Sequence, residues 1–431
     1  MSLFFYFCKT RAALMKILLK NATLLDPSSP FHCTIQDVLI LENKIVAIAP
    51  DIEEDDAKTI KNKNLHVSPG WFDPGVSFGE PGFEERETID NGLNVAAKSG
   101  FTKVVLNPDT LPAVDSHSSV NHLLKTAVGS TTSLFPMGTM TMGAEGNQMA
   151  SLYDMHMAGA VAFGDHKKSI ASGNLLKITL QYAQSFKGLV LSHPMNNELS
   201  SKGMMHEGAT STKIGLKGIP SLAESLQISR DIQILEYTGG KLHIPFVSSE
   251  SGVDLIRQAK KKCLDLSCSV GLPNLFFNDT ELESFDANFK VFPPIRSKSD
   301  QRALREGLLD GTIDMVSSMH EPMNIEFKKL EFERALAGTT GLESCFGALC
   351  TIFPLEKVLR FLTRGSERFG VKVSKIKVGE KADLTFFDPD TNHTFEEKNI
   401  LSTSKNSAFI GSQLTGKVIG SYNNGVLTLN T

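Results

Sequence analysis

The sequence predicts an α/β fold: a long central unit of alternating strands and helices, carrying a small β domain built from both ends of the chain. Between about residues 69 and 370, short apolar runs alternate with helical stretches. Strand-like segments punctuated by turn residues precede this region, and a second set follows it. A chain of 431 residues is also long enough to bury one large core and one smaller one. The rhythm suits a TIM-type (β/α)8 barrel, which takes about 250 residues. A doubly wound sheet fits it too, because periodicity alone does not separate the two.

From Met15 to about Val67, Ile17–Leu19, Asp37–Leu41 and Ile45–Ile48 read as strands, with Glu42-Asn43 as a turn. In the middle region, strands are expected at Lys103–Leu106, Ser133–Met137, Val161–Phe163, Gly188–Ser192, Lys241–Val247, Ser267–Val270 and Met315–Ser317. Helices are expected at Ser221–Thr238 and Val253–Lys262. Ala382–Pro389 reads as a strand ended by a proline turn, and Gly416–Leu427 as a hairpin turning at Asn424-Gly425. The expected layout is 15–68 and 371–431 as two halves of the small β domain and 69–370 as the α/β unit. Residues 1–14 are set apart as an extra N-terminal segment or tag. Their Phe4-Phe5-Tyr6-Phe7 run precedes Lys9 and Arg11, the reverse of a secretory signal.

A net charge of -4 gives no reason to expect nucleic acid or an anionic membrane as partner. Lys260-Lys261-Lys262 reads as a solvated helix end. No apolar run reaches the roughly 18 residues of a membrane span. None of the six cysteines forms a Cys-x-x-Cys pair, and a chain of this size needs no disulfides, so the cytoplasm is the expected compartment.

The most informative stretch is 66–82, which contains Pro69-Gly70, Asp73 and Glu80-Pro81-Gly82. It resembles the first-strand signature of dihydroorotases and their relatives in the amidohydrolase superfamily: Pro-Gly-x-x-Asp, then His-x-His, then Leu-Arg-Glu-Pro-Gly. Further stretches resemble the same family in order. They are Ser99–Thr102, Ala223-Glu224 with Arg230-Asp231, Pro293–Arg296, Gly341–Glu343, Gly379–Asp383 and Gly416–Val418. The resemblance runs from Met15 over nearly the whole chain. It implies an amidohydrolase (β/α)8 barrel with a β-sandwich formed from both termini.

In that family a divalent metal, usually zinc, sits at the C-terminal end of the barrel, activates a water and polarises a ring amide, while an aspartate on the last strand moves protons. Carried over position by position, the resemblance finds little of this chemistry. Gly75 and Ser77 stand at the two histidines and Gly79 at the substrate-binding arginine. His166 falls at the carboxylate ligand, beside Asp165, and His193 is retained. Phe246 replaces a ligand histidine and Met319 the catalytic aspartate, with Glu321 two positions on as a substitute acid on the same strand face. Asp109 and Phe292 stand at two substrate-binding asparagines. Asp109, His166, His193 and His320 are the candidate lining of a ligand pocket. His320 and His243 are expected to be hydrogen-bonded barrel residues rather than catalysts.

The leading expectation is therefore a dihydroorotase homologue of pyrimidine biosynthesis that is catalytically inactive, needs no cofactor, and acts as a structural or regulatory partner of aspartate transcarbamoylase. Replacing imidazoles and an acid with apolar bulk avoids stranded charges once a metal is lost. One alternative is an active dihydroorotase or related cyclic-amide hydrolase, which converts dihydroorotate to N-carbamoyl-L-aspartate, with zinc in a rebuilt site. Another is a metabolite-binding sensor. A homodimer is expected from the resemblance.

Overall fold

The computed structural model describes residues 16–430. The expectations for residues 1–14 and for Met15 lie outside them. The small domain holds β1 (Lys16–Leu24), β2 (Ile35–Leu41), β3 (Lys44–Ala49), β4 (Lys58–Ile60) and β5 (His66–Pro69). The barrel begins with β6 (Trp71–Val76), β7 (Phe101–Leu106), β8 (Ser133–Gly138), β9 (Ala162–Phe163) and β10 (Leu189–Leu191). A short side pair follows, β11 (Met205–His206) and β12 (Gly218–Ile219). The barrel then resumes with β13 (Lys241–Ile244), β14 (Leu266–Gly271) and β15 (Met315–Ser317). The chain returns to the small domain through β16 (Leu384–Thr394), β17 (Gln413–Asn423) and β18 (Val426–Leu429).

The eight barrel strands run parallel in chain order from β6 to β15, with helices between them. β6, β7 and β14 are buried at every residue, as strands covered on both faces must be. A doubly wound sheet would leave its first and last strands far apart. Here they meet. Ser77 donates its backbone N–H to the His320 carbonyl at 2.8 Å. Asp73 accepts from Ser317 Oγ at 3.1 Å and from the Ser318 N–H at 3.0 Å. Side chains fill the barrel interior, with Phe72, Val105, Met137, Leu191 and Met315 joined by Phe369 and Val371.

In the small domain the sheet order is β18-β17-β16-β5-β1-β2-β3, so strands from the two ends of the chain form the two halves of one sheet, joined where β16 pairs with β5. Lys103 of β7 and Asp383 form a buried ion pair between the two units. Burial pushes the Asp383 carboxyl up, but the Lys103 ammonium and the hydrogen bonds around it hold it below its ordinary range. Residues 400–410, although they lie between small-domain strands, pack on the barrel. Thr403 Oγ1 donates to Glu87 at 2.7 Å, and Asn406 Oδ1 accepts from the Met323 N–H at 2.9 Å.

Strand and helix positions follow the sequence closely, and the differences have local causes. β13 stops at Ile244, not Val247, because Pro245 has no N–H and Phe246 takes a left-handed backbone at φ 55°. The helix expected from Val253 starts at Glu250, because Ser249 caps it by accepting the Gly252 N–H at 3.1 Å. β16 does not end at Pro389 but shifts register between Asp388 and Asn392 and continues to Thr394. Asn424 and Gly425, at φ 53° and 78°, make the tight turn between β17 and β18.

The motif stretches turn out to be pillars of this fold. Glu224, fully buried, accepts from the Ser249 N–H at 2.8 Å and Ser249 Oγ at 2.7 Å, and also from Ser248 Oγ. Arg296 Nε in turn donates to Ser248 Oγ at 2.8 Å. Among the described residues, no helix is long and apolar enough to cross a membrane, and the five described cysteines are free.

Candidate functional site at the barrel mouth

The C-terminal ends of β6, β7, β9, β10, β13 and β15 bring together Gly75 and Ser77, Asn107 and Asp109, His166, His193, Phe246, and the Met319–Glu321 segment. Three of these strand ends share an unusual backbone. His166, Phe246 and Met319 sit at φ 54°, 55° and 52°. For residues other than glycine this costs about 1–2 kcal/mol each. Such strain persists only where the surroundings over-determine it, and it clusters at functional sites.

The centre of the mouth is filled. Phe246 is buried, and its Cζ lies 3.7 Å from where a β-carbon on Gly75 would stand. Asn107 Oδ1 lies 3.1 Å from the same point, and Asn107 Nδ2 donates to Ser77 Oγ at 3.1 Å. Met319 is also buried, with its sulfur packed against Gly271. The remaining cavity, lined by Gly75, Asn107, His166, His243 and Phe246 among others, is about 10 Å³. That is room for about one water, whereas small-molecule pockets run to ~300–1,000 Å³. Gly79 cannot be read as an arginine simply lost. At φ 100°, a β-carbon there would stand 2.6 Å from the Phe83 carbonyl oxygen.

Of the four residues expected to line a pocket, the structure brings Asp109 and His166 together and buries His193 beside Phe292. His166 Nε2 lies 3.9 Å from Asp109 Oδ2 and has no hydrogen-bond partner. Burial, with the nearby Lys167 charge, pushes the His166 pKa down to about 3, so the ring is neutral. Asp109 Oδ1 is likewise unpartnered. Burial raises the Asp109 carboxyl, partly offset by the Ser77 hydroxyl and the Lys167 and Arg86 charges. His193 is buried beside Phe292, ring centroids 5.3 Å apart, with neither ring nitrogen bonded. Burial holds its pKa well below the ordinary range, and the Lys167 charge acts in the same direction.

His320 does not join them, which corrects its place in the expected pocket. Its Nδ1 accepts from the Gly341 and Leu342 N–H groups, each at 3.4 Å, and so serves the start of the helix Leu342–Ile352. Nor is Asp165 free to swing toward a metal. Its carboxylate takes the Met140 and Thr141 N–H groups at 2.8 and 3.0 Å and the Thr141 hydroxyl. His243 lies in the barrel interior, 2.8 Å from Ser267 Oγ and 3.2 Å from Ser269 Oγ.

Glu321 does point into the mouth, where it pairs with Lys167. Oxygens of Asp109 and Glu321 and a ring nitrogen of His166 all lie within 4.8 Å of one another. The sequence expectation does not include Lys167. The signal was a cation adjacent to His166, in a mouth that keeps two carboxylates.

This barrel, with its site at the strand ends and a β domain from both termini, is of the amidohydrolase type. Two solved structures share it. L-hydantoinase (dihydropyrimidinase) from Arthrobacter aurescens superposes with a TM-score of 0.82 at 23% identity, over 95% of each chain. Dihydropyrimidinase from Brevibacillus agri superposes with 0.80 at 22% identity, over 96% of this chain and 95% of the other. Sequence relatives are narrower in kind. The dihydroorotase of Pelotomaculum thermopropionicum is 35% identical over 93% of this chain and 96% of its own, and that of Syntrophus aciditrophicus 34% over 94% and 97%. Residues 66–252 match the family model described as dihydro-orotase-like. The chain belongs to the dihydroorotase-like family.

Proposed function

We propose that this chain is a non-catalytic dihydroorotase homologue of pyrimidine biosynthesis, acting as a homodimer that supports aspartate transcarbamoylase as a structural or regulatory partner. The observation that carries the reading is the filled mouth: Phe246 and Met319 are both buried there, and the cavity that Phe246 lines is only about 10 Å³. The residues at the family's ligand positions also do not fit its zinc. Gly75 offers no side-chain donor, Phe246 offers ring carbon, and that ring approaches the space a first-strand imidazole would need. Zinc sites of this kind need at least three protein ligands. At the position of the family's proton shuttle, Met319 can neither take nor give a proton. What is retained supports a scaffold role: the Glu224–Ser248–Arg296 and Asp73–Ser318 pillars keep the barrel intact.

The test is interconversion of dihydroorotate and N-carbamoyl-L-aspartate by purified protein with added zinc, against a His193→Ala, Glu321→Ala variant as control for contaminating enzyme. The reading expects no turnover above the control, and co-purification with aspartate transcarbamoylase. Zinc-dependent turnover that the variant loses would replace it with a rebuilt hydrolase. Silence without any complex would remove the partner.

A further inference from the structure

The family's metal position is blocked, yet beside it the mouth holds a different set of donors, of which Asp109 Oδ1 and His166 Nε2 have no hydrogen-bond partner. We propose that Asp109, His166 and Glu321 form a second-generation site for one divalent transition-metal ion, displaced from the family's site and closed by the Lys167 ammonium. The inference goes beyond the scaffold reading and does not depend on it.

Four observations carry it. The three donor atoms already lie within 4.8 Å of one another. Modest side-chain rotations bring that to the ~3.4 Å expected between tetrahedral ligands about 2.1 Å from one ion. Second, the His166 side chain is only 9% exposed, and its Nε2, 3.9 Å from Asp109, is left without a hydrogen bond. An unpaired buried ring nitrogen is costly unless something takes its lone pair. Third, Asp109 Oδ1 is unpaired too. Fourth, a positive charge already sits there, since Lys167 pairs with Glu321. A pair of carboxylates facing a neutral imidazole calls for a cation, and Lys167 supplies a tethered one.

The donor set also selects the ion. One imidazole and two carboxylates suit zinc, cobalt, nickel or manganese better than calcium or magnesium, which take all-oxygen shells. Entry requires the Lys167 side chain to rotate away, which its four-carbon stem and 16% exposure allow. Lys167 is therefore a competitor for the ion and not a ligand. His166 is the one residue common to this site and the family's, because the other two donors come from positions that in the family serve elsewhere.

Cobalt(II), whose visible absorption reports its coordination, is the probe, titrated into metal-stripped full-length protein. The background variant is Cys33→Ser, because exposed Cys33 Sγ lies 3.3 Å from His32 Nε2 and would take soft ions on its own. The expected result is one cobalt per chain, loss of the bound spectrum in His166→Gln and in Glu321→Gln, and binding tightened about tenfold in Lys167→Met. Far-ultraviolet circular dichroism checks that each variant is folded, and Lys167→Gln repeats the measurement if Lys167→Met is not. No binding in either the background protein or the folded lysine variant overturns the proposal. Binding that survives both His166→Gln and Glu321→Gln also overturns it. Neither result bears on turnover or on aspartate transcarbamoylase, so failure here and failure of the scaffold reading are read separately.

Discussion

The ring of Phe246 ends 3.7 Å from the point where a side chain on Gly75 would begin, so the residues at the ends of β6 and β13 are matched in size. The aromatic ring and the missing side chain fit only as a pair. Truncation by Phe246→Ala is expected to cost about 3–5 kcal/mol by cavity formation. Gly75→His alone should also destabilise, because its β-carbon would stand 3.1 Å from Asn107 Oδ1 with the Phe246 ring close behind. Guanidinium titrations of both single variants and the double variant check the match. The double variant should lose less than the sum of the two, and strict additivity would mean the residues do not share space.

Asp73 closes the barrel, and its burial sets a pH signature. Burial raises its pKa from 3.8 to about 6, despite hydrogen bonds from Ser318, Gly75 and Ser317. The native state therefore holds this proton more tightly than the unfolded chain between those values, and stability on this account falls as pH rises through that window. The loss amounts to up to about 3 kcal/mol. Asp73→Asn removes the titration but turns a donor toward the Ser318 N–H, so it should be less stable than the parent at every pH. Urea unfolding from pH 3.5 to 7 should show the difference between the two proteins shrinking with rising pH. A constant difference would mean Asp73 does not titrate there.

Met319→Asp puts a carboxylate into the buried mouth. At a site this buried, an unpaired carboxylate should cost several kcal/mol. The penalty should be smaller at pH 5 than at pH 8, because protonation relieves it. Thermal unfolding at the two pH values measures this, and a variant equally stable at both would show that the position is hydrated or paired.

Glu224→Ala strips the acceptor from the Ser248 and Ser249 N–H groups and leaves the Arg296 guanidinium buried without its carboxylate. Breaking a buried pair from one side costs about 3–5 kcal/mol. Hydrogen exchange should show the loss concentrated at the start of the helix Glu250–Lys261, and uniform loss would argue against a local clamp.

The fold was legible because its signals are local or repetitive. Alternating apolar runs, the Asn424-Gly425 turn and the ordered motif stretches each act over a few residues. Periodicity could not close the barrel, since closure rests on Asp73 meeting Ser317 and Ser318 at the far end of the unit. At the mouth, Gly75, Ser77, Phe246 and Met319 are each visible singly in the sequence. Their joint effect is not, because it depends on how far the Phe246 ring reaches. The Lys167–Glu321 pair joins β9 to β15, and His320 serves a helix that begins at Leu342; neither partner is suggested by spacing.

The sheet order of the small domain has a consequence for how the molecule is made. β5 lies between β1 and β16, so one of its edges waits for a strand that leaves the ribosome only after the entire barrel. Throughout elongation that edge offers unpaired backbone groups to any passing strand. A message broken or stalled beyond the barrel would yield a chain whose larger unit can form but whose sheet stays open. Such a product carries its own mark of incompleteness, an adhesive strand for chaperones and proteases to find, and only translation through Leu384–Phe387, the part of β16 that pairs with β5, erases it.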